Sequence, residues 1–478
     1  MIAISSPKIK LPYLDVRNYG AKVDASPPEL TGTDDSGAIQ AAIDALPAKG
    51  GRIYLPGFCR AHSTIWIPDR KPIKIFGDIE GGSQLWDGAG LVGTMTDGSP
   101  ILATPDNEDF TRTVFLEDFG IVGNAACGDG IFLRFAVYNC HLKNVCVTRC
   151  GGDGIQLVQN WRSKLDYVES RENDGRGLFI DTCSNSQLIA CDIIDNDSGN
   201  LSINEDGGTD GGYLILGGDY SQYATTGVDN FCIKLGSVKA TTIQGIFIEH
   251  GILAPDVNII EVLGWAANNR AKGINIIGNT IGCSATSGAA FPIHIQRADS
   301  VKISGNNINH GALAGPMEID IETQNVVIGS NAITADPVIS TDPSCEPVTF
   351  EGQKCIQCTF QYNDIAQSAD VNPNIAGTTF PSFKLGKRAH LLEIYVRASA
   401  ALTAGSISCT AMGKNKQATL NSTYQERRAF QQPYKETWAA DDTIQARLQA
   451  SGDLTPNGSL DVLVTFIIAV DNEVQGGW

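Results

Sequence analysis

Short stretches of alternating apolar and polar residues recur along this chain at a nearly fixed interval. Between residues 130 and 196, Gly-Ile-Phe-Leu at 130–133 is echoed at 154–157 and 177–180, and Leu142, Leu165 and Leu188 open a second strip repeated every 23 residues. Period-two alternation predicts β-strands, and a repeat of this length predicts stacked units. Turn residues separate the strips without any helical pattern, so the sequence predicts the coils of a parallel β-helix.

Aligning the second strip places residues of successive coils in columns. Val145, Val168 and Cys191 form a column that we expect to face inward. By alternation, the neighbouring column should face outward, and it contains Cys146, Glu169 and Asp192. A further column contains Arg149, Glu172 and Asp195.

The rhythm changes along the chain, and these changes suggest domain boundaries. Further alternating stretches recur at longer and less regular intervals, so we expect the coils to continue to about residue 335. Residues 197–230 interrupt the repeat and are interpreted as an insertion or an elaborated coil. Residues 336–347 contain three prolines and are typical of a linker. From 348 to 478, alternating runs at 392–397 and 460–468 predict an antiparallel β-sandwich.

The N-terminal segment has a helical pattern. Ile39, Ala42, Ile43 and Leu46 share one face at helical spacing, Thr33 or Asp34 can cap the helix, and acids are expected in its first turn. Pro47 and Gly50-Gly51 end it. Such a helix would cover the open end of the first coil.

The same segment carries a resemblance to a known family. Asp15-Val16-Arg17-Asn18-Tyr19-Gly20-Ala21, then Thr33-Asp34-Asp35 with the helical run, then Gly50-Gly51-Arg52-Ile53-Tyr54-Leu55-Pro56-Gly57, resembles the opening of the pectate-lyase-like superfamily, which includes bacteriophage tailspike depolymerases. The resemblance implies an all-β, right-handed parallel β-helix with an N-terminal capping helix and a C-terminal antiparallel β-sandwich. The expected domains are a cap and first coil (1–57), the β-helix (58–335) and the sandwich (348–478).

Composition limits the function classes. The net charge of −18 argues against a nucleic-acid partner. The 13 cysteines are an odd number without a disulfide framework, which favours folding in a reducing compartment. The N-terminus lacks the pattern of a signal peptide, and no apolar stretch is long enough to insert in a membrane.

The acid columns are the main candidates for catalysis. Glycoside cleavage needs two carboxyl groups, about 5 Å apart for retention and further apart for inversion, and adjacent coils are about 4.8 Å apart. We therefore expect the catalytic residues among Glu169, Asp192, Glu172, Asp195 and, at the end of a later strand, Glu249. Acid columns can also be solvated surface, in which case Arg149 simply neutralises Glu172. A site in the 197–230 elaboration, around Glu205, Asp206 and Asp210, is a further alternative.

Other candidates concern binding. The expected substrate-binding residues are Arg149, Arg171, Trp161 and Tyr167, because cations hold acidic groups and aromatic faces stack on sugar rings. The motifs of polygalacturonases are absent, which lowers the odds of that hydrolase. Cys345, Cys355 and Cys358 supply three thiolates for zinc but no fourth ligand at familiar spacing, so we expect no metal or cofactor.

The resemblance implies a phage tailspike-like depolymerase, a glycoside hydrolase or polysaccharide lyase, that binds and cleaves a bacterial capsule or O-antigen. It also implies a homotrimer, made in the host cytoplasm and carried on the virion. Because the cap motif begins about a dozen residues from the start, we expect docking through a phage tail adaptor or a shortened chain. The alternatives are a non-catalytic glycan-binding adhesin and a secreted polysaccharide lyase.

Overall fold

The computed structural model describes residues 12–334 apart from 28, 79–87, 106–110, 205–210, 224–230, 252–256, 267–268, 285–289, 312–315, 321 and 330. Beyond residue 334 it describes the strands given below. The chain divides into two compact units, residues 1–241 with 245–252, and residues 242–244 with 253–478. No helix among the described residues is long and apolar enough to cross a membrane.

The first unit begins with a cap. A 3-10 turn spans Val16–Tyr19, and helix α1 spans Ser36–Asp44. Ile39, Ala42, Ile43 and Leu46 are buried, as the helical pattern predicts. The details of the N-terminus differ from expectation, since Asp35 is the N-cap residue and the first turn contains no acid. The Asp35 carboxylate instead accepts hydrogen bonds from the backbone N–H groups of Lys22 and Val23, while Asp34 accepts from the Ser36 N–H.

The rest of the first unit is a stack of parallel coils. Its strands are β1 Leu14–Asp15, β2 Gly51–Tyr54, β3 Phe58–Ala61, β4 Ile65–Trp66, β5 Ile73–Phe76, β6 Gly90–Gly93, β7 Leu102–Ala103, β8 Thr111–Val122, β9 Ile131–Arg134, β10 Ala136–Thr148, β11 Ile155–Val158, β12 Ser163–Asp166, β13 Glu169–Arg171, β14 Leu178–Asp181, β15 Gln187–Ile194, β16 Leu201–Ile203, β17 Leu214–Asp219, β18 Ile233–Leu235, β19 Lys239–Gln244, whose end lies in the second unit, and β20 Phe247–His250.

The register of these strands agrees with the repeat in the sequence. Ile155 of β11 pairs in parallel with Ile131 of β9 and Leu178 of β14. Leu165 pairs with Leu142 and Leu188. All of these side chains are fully buried, so each coil packs its inward residues on those of the next, which is how a solenoid acquires a continuous core.

The second unit contains further parallel strands and two antiparallel sheets. The parallel strands are β21 Ile260–Leu263, β22 Ala271–Ile277, β23 Thr280–Cys283, β24 Ile293–Gln296, β25 Ala298–Ser304, β26 Asn307–Asn309, β27 Met317–Ile319, β28 Gln324–Ile328, β29 Ala332–Thr334, β30 Ile339–Thr341 and β31 Thr349–Phe350. Strand β30 pairs with β27, and β31 pairs with β28. The parallel pairing therefore extends through residues that we interpreted as a linker, because their prolines lie outside these short strands.

The antiparallel strands are β32 Cys355–Ile365, β33 Asp370–Val371, β34 Ser382–Lys384, β35 Ala389–Ala398, β36 Ser406–Ala411, β37 Gln417–Asn421, β38 Gln425–Ala429, β39 Thr437–Trp438, β40 Thr443–Ser451 and β41 Leu460–Val470. One sheet runs β32-β41-β35-β38 with β39 beside β35, and the other runs β33-β40-β36-β37 with β34 beside β40. Ile394 and Val464 are fully buried. The predicted fold class, a capped parallel β-helix followed by an antiparallel β-module, is confirmed.

Candidate functional site

The first unit carries an outward-facing row of acids, which we name the carboxylate column: Glu169, Asp192 and Asp219. Glu169 pairs with Asp192 across β13 and β15, and Asp192 pairs with Asp219 across β15 and β17. The inward column of Val145, Val168 and Cys191 is buried, so the predicted register is confirmed. The column brings three carboxyl groups together on consecutive coils, spaced by about 4.8 Å along the stack.

Local backbone geometry presents these acids. Two residues before each acid, the chain turns through the left-handed region, at Tyr167 (φ 52°), Ala190 (φ 50°) and Gly217 (φ 63°). Such residues bend the chain between strands that would otherwise be continuous. In the coil of Glu169 the bend separates β12 from β13, and Glu169 is the first residue of β13. Asp192 lies within β15, and Asp219 is the last residue of β17.

Asp219 belongs to the column although sequence reasoning missed it. It lies 27 residues after Asp192 and donates its backbone N–H to the Asp192 Oδ1 at 3.0 Å. The repeat upstream is 23 residues, and the longer spacing hides the alignment. A sequence pattern could have identified it. In both strands an apolar pair is followed, after two further residues, by an aspartate: Leu188-Ile189 precedes Asp192, and Ile215-Leu216 precedes Asp219. The alternative residues Glu205, Asp206 and Asp210 lie outside the described residues.

Burial and mutual repulsion make it unfavourable for all three carboxyl groups of the column to be ionised at once. Loss of hydration raises the pKa of Asp192. Burial raises the pKa of Asp219, and the charges of Asp192 and Glu249 raise it further. Burial also raises the pKa of Glu169, although the nearby Arg171 opposes this. Carboxyls with raised pKa values in a row can hold a proton where an isolated aspartate would not.

Cations and hydroxyl groups distinguish the members of the column. The Arg171 Nε lies 3.0 Å from the Glu169 Oε1. Within the described part of the chain, neither Asp192 nor Asp219 pairs with a Lys or Arg. Ser221 donates its hydroxyl to Asp219, and Tyr223 donates its hydroxyl to the Glu249 Oε2 at 3.0 Å. Glu249 therefore lies beside the column, where it adds negative charge next to Asp219.

Aromatic side chains flank the acids. Tyr223 is 44% exposed, and Phe247, which pairs with Asp219 in the register, is 43% exposed. Tyr167, two residues before Glu169, is also exposed. Trp161 is exposed too, but it lies eight residues before Glu169, where its backbone pairs with Ser184. Exposed rings next to polar groups provide apolar faces on which sugar rings can stack.

The second acid column is built differently. Arg149, Glu172 and Asp195 all have left-handed backbone conformations, at φ 57°, 53° and 54°. The Arg149 Nε donates to the Glu172 Oε2 at 3.1 Å, and both side chains are about half exposed. Asp195 accepts the backbone N–H of Tyr223. This arrangement agrees with the alternative in which Arg149 neutralises Glu172.

Thiols and metal sites complete the description. The described cysteines form no disulfide, and no group of His, Cys, Asp and Glu among the described residues could hold a metal ion. Cys345 lies outside the described residues, and for Cys355 and Cys358 only the strand is described.

No family model matches the chain, and no curated protein matches it by sequence. Solved structures do match. PfbA, a surface adhesin of Streptococcus pneumoniae, aligns with a TM-score of 0.50 and 12% identity over 72% of this chain and 93% of its own. DFA-IIIase of Arthrobacter chlorophenolicus A6 aligns with a TM-score of 0.50 and 11% identity over 71% and 94%. These alignments show the parallel β-helix fold, which is the fold that the resemblance to the pectate-lyase-like superfamily implied. ORF18 of Geobacillus virus E2 aligns with a TM-score of 0.49 and 15% identity over 94% and 78%. At these identities, the similarity between this chain and the three solved structures shows a shared fold and nothing about function.

The raised pKa values predict a pH-dependent effect on stability. Because the folded protein binds the Asp219 proton more tightly than the unfolded chain, the stability from this group is full below the ordinary pKa of 3.8. It is lost as the pH rises through the raised pKa. Asp219→Asn should therefore melt at a higher temperature than the parent at pH 7, and the difference should vanish below pH 3.8.

Asp24→Asn is the matched control with the opposite sign. Thr33 donates its backbone N–H and hydroxyl to Asp24, which lowers the pKa of that carboxyl. Its stabilisation is present above the ordinary pKa and is lost as the pH falls, so this variant should melt lower than the parent at pH 7. Melting temperatures at about pH 3.5 and pH 7 check both; equal shifts of the same sign would contradict the assignment.

Proposed function

We propose that this protein binds and cleaves a bacterial surface polysaccharide, with Asp192 and Asp219 as the reacting carboxyl groups. The observation that carries the proposal is the direct pairing of these two acids on consecutive coils, both with raised pKa values. Their strand spacing of about 4.8 Å is near the separation of about 5 Å that suits a retaining glycosidase.

The environments of the two acids suggest their roles. Asp219 has negative charge on both sides, from Asp192 and Glu249, so it is the better proton carrier and serves as general acid. It gives its proton to the glycosidic oxygen as the bond to the anomeric carbon breaks. The Asp192 carboxylate attacks that carbon and forms a glycosyl ester. Asp219, now ionised, then takes a proton from water, which hydrolyses the ester and restores both groups.

We assign the remaining candidate residues to positioning and glycan binding. Glu169, which is paired with Arg171, lies next to Asp192 on the preceding coil. Glu249 is held by Tyr223. Trp161, Tyr167 and Arg171 contribute to glycan binding. Arg149, Glu172 and Asp195 serve the turn next to the column, with a catalytic role for Glu172 or Asp195 as the weaker alternative.

Charge favours a hydrolase over a lyase. Cleavage of a polyuronate by elimination needs a cation to neutralise the uronate carboxylate. In the described part of the column the cation is Arg171, and it is paired with Glu169. The surrounding acids would repel a uronate at this point. The proposed substrate is therefore cleaved at a neutral sugar.

The biological setting is also a proposal. A tailspike-like protein on a phage virion would meet a repetitive glycan, and three copies would raise avidity for it. The homotrimer and the tail adaptor belong to this part of the proposal, and a trimer mass in light scattering would support the first.

The test is incubation of the protein with a panel of capsules and lipopolysaccharides. The expected result is the release of reducing ends without the ultraviolet absorbance of unsaturated uronates. A rise in that absorbance would indicate a lyase. Retention of a polysaccharide without any cleavage would indicate an adhesin, and either outcome would overturn the proposed chemistry.

A further inference from the structure

A second concave surface lies at the capped end of the first unit. An open pocket of about 510 Å³ is lined by residues of α1, of the β3–β4 turn and of the segment after β6. This volume is within the range of small-molecule sites. The residues that give it chemistry are Gln40, His62, Trp66, Met95, Asp97 and Ser99.

The walls of this pocket are held in place by hydrogen bonds. Gln40 of α1 accepts the backbone N–H of Trp66 and donates to its carbonyl oxygen, at 2.9 and 3.2 Å. This reciprocal pair fixes the backbone of Trp66 against the cap helix, while the Trp66 residue stays 43% exposed. An aromatic ring that is held at a pocket wall and left open to solvent is preorganised for a ligand with an apolar face.

The polar groups of the pocket can accept hydrogen bonds. The His62 Nδ1 lies 2.9 Å from the Thr94 carbonyl oxygen; because a carbonyl can only accept, the proton is on Nδ1, and the Nε2 of the neutral ring is an acceptor. The Asp97 Oδ1 accepts the Ser99 N–H at 3.1 Å, which lowers the pKa of Asp97 and keeps an anionic acceptor at the pocket.

We propose that this pocket is a binding subsite for a neutral sugar residue. Trp66 stacks on the sugar ring, and the His62 Nε2 and the Asp97 carboxylate accept hydrogen bonds from the hydroxyl groups of the sugar. None of the described lining residues is Lys or Arg, so a uronate would meet the Asp97 charge without a compensating cation. The ligand class is therefore a neutral hexose or N-acetylhexosamine.

The subsite is separate from the carboxylate column. The register runs from Phe58 through Gly90, Gly120, Cys146 and Glu169 to Asp192. Four strand spacings of about 4.8 Å separate the coil of Phe58 from Glu169, and five separate it from Asp192, so the two sites are roughly 19 to 24 Å apart along the stack. A long glycan could occupy both, which would raise its retention by effective concentration. The inference rests on the proposed glycan partner but does not require cleavage.

The test uses the full chain labelled with 5-fluorotryptophan, which gives signals from six tryptophans. The Trp66 resonance is assigned by its loss in Trp66→Phe. Methyl glucoside, methyl galactoside and methyl N-acetylglucosaminide are titrated separately, with methyl glucuronide as the acidic comparison. We expect the Trp66 resonance to shift saturably with at least one neutral glycoside and not with the glucuronide. Trp66→Ala should raise the Kd measured by calorimetry about tenfold or more.

The controls separate this inference from the proposed reaction. Trp265→Ala removes an exposed tryptophan that does not line the pocket and should leave the Kd unchanged. No shift with any neutral glycoside, or tighter binding of the glucuronide, would overturn the subsite even if a polysaccharide is cleaved. A saturable Trp66 shift in a protein that cleaves no polysaccharide would uphold the subsite and overturn the reaction.

Discussion

Asp219→Asn and Asp192→Asn should each lower the rate of polysaccharide turnover about 10²- to 10⁴-fold, which is the usual contribution of a positioned acid or base. The amides keep the size of the carboxyls. In Asp192→Asn the amide oxygen can still accept the backbone N–H of Asp219, which the carboxylate accepts at 3.0 Å in the parent. Binding should therefore persist while turnover falls. Initial rates of reducing-end release and retention on an immobilised polysaccharide measure the two effects.

A matched control lies in the neighbouring turn. Asp174 is an exposed acid outside the column, so Asp174→Asn should keep the parental rate. Glu169→Gln, Glu249→Gln, Glu172→Gln and Asp195→Asn complete the series and should retain more turnover than the two column variants. If Glu172→Gln or Asp195→Asn alone removed activity, the reacting pair would lie in the second column.

Asn196→Ala should cost about 3 to 5 kcal/mol of unfolding free energy, because it leaves several buried groups without partners. The Asn196 Oδ1 accepts the backbone and side-chain N–H groups of Asn173 at 3.2 and 2.8 Å. Its Nδ2 donates to the carbonyl oxygens of Ser170 and Ile194, both at 3.1 Å, and to the Asn200 Oδ1 at 2.9 Å. Asn196 is fully buried, so water does not replace these bonds.

Ser198→Ala is the control for this stability effect. Ser198 lies in the same turn and donates a single exposed hydrogen bond to the Asp174 carbonyl oxygen. Its loss should change the free energy of unfolding by at most about 0.5 kcal/mol. Urea denaturation followed by circular dichroism compares the two variants, and a loss below about 1 kcal/mol for Asn196→Ala would show that the turn relaxes to satisfy its own groups.

Most of the fold could be predicted from the repeat in the sequence. Strict alternation at a constant 23-residue offset identified the buried column of Val145, Val168 and Cys191 and the acids beside it, because a one-residue error in register would have exposed every leucine of the strip. The same offset separates Asn173 from Asn196, but buried asparagines at turns resemble solvated loop residues in a sequence. Their inward position follows only from the stacking of turns.

The candidate site was harder to predict than the fold. Asp219 was missed because a longer coil shifted its spacing to 27 residues, so its alignment depends on pairing and not on period. Asp35 was not recognised as a carboxylate that holds the Lys22 and Val23 backbone, since that contact joins segments that do not neighbour each other in the helical pattern. Long-range contacts of this kind leave no local trace in the sequence.

The most direct test of the Asp192–Asp219 assignment is the anomeric configuration of the first product released by the parent protein, followed by ¹H nuclear magnetic resonance. Carboxyls on consecutive coils predict retention of configuration, because no water fits between them and the covalent ester must form. Initial release of the inverted anomer would contradict the account and would point instead to carboxyls two coils apart, such as Glu169 and Asp219.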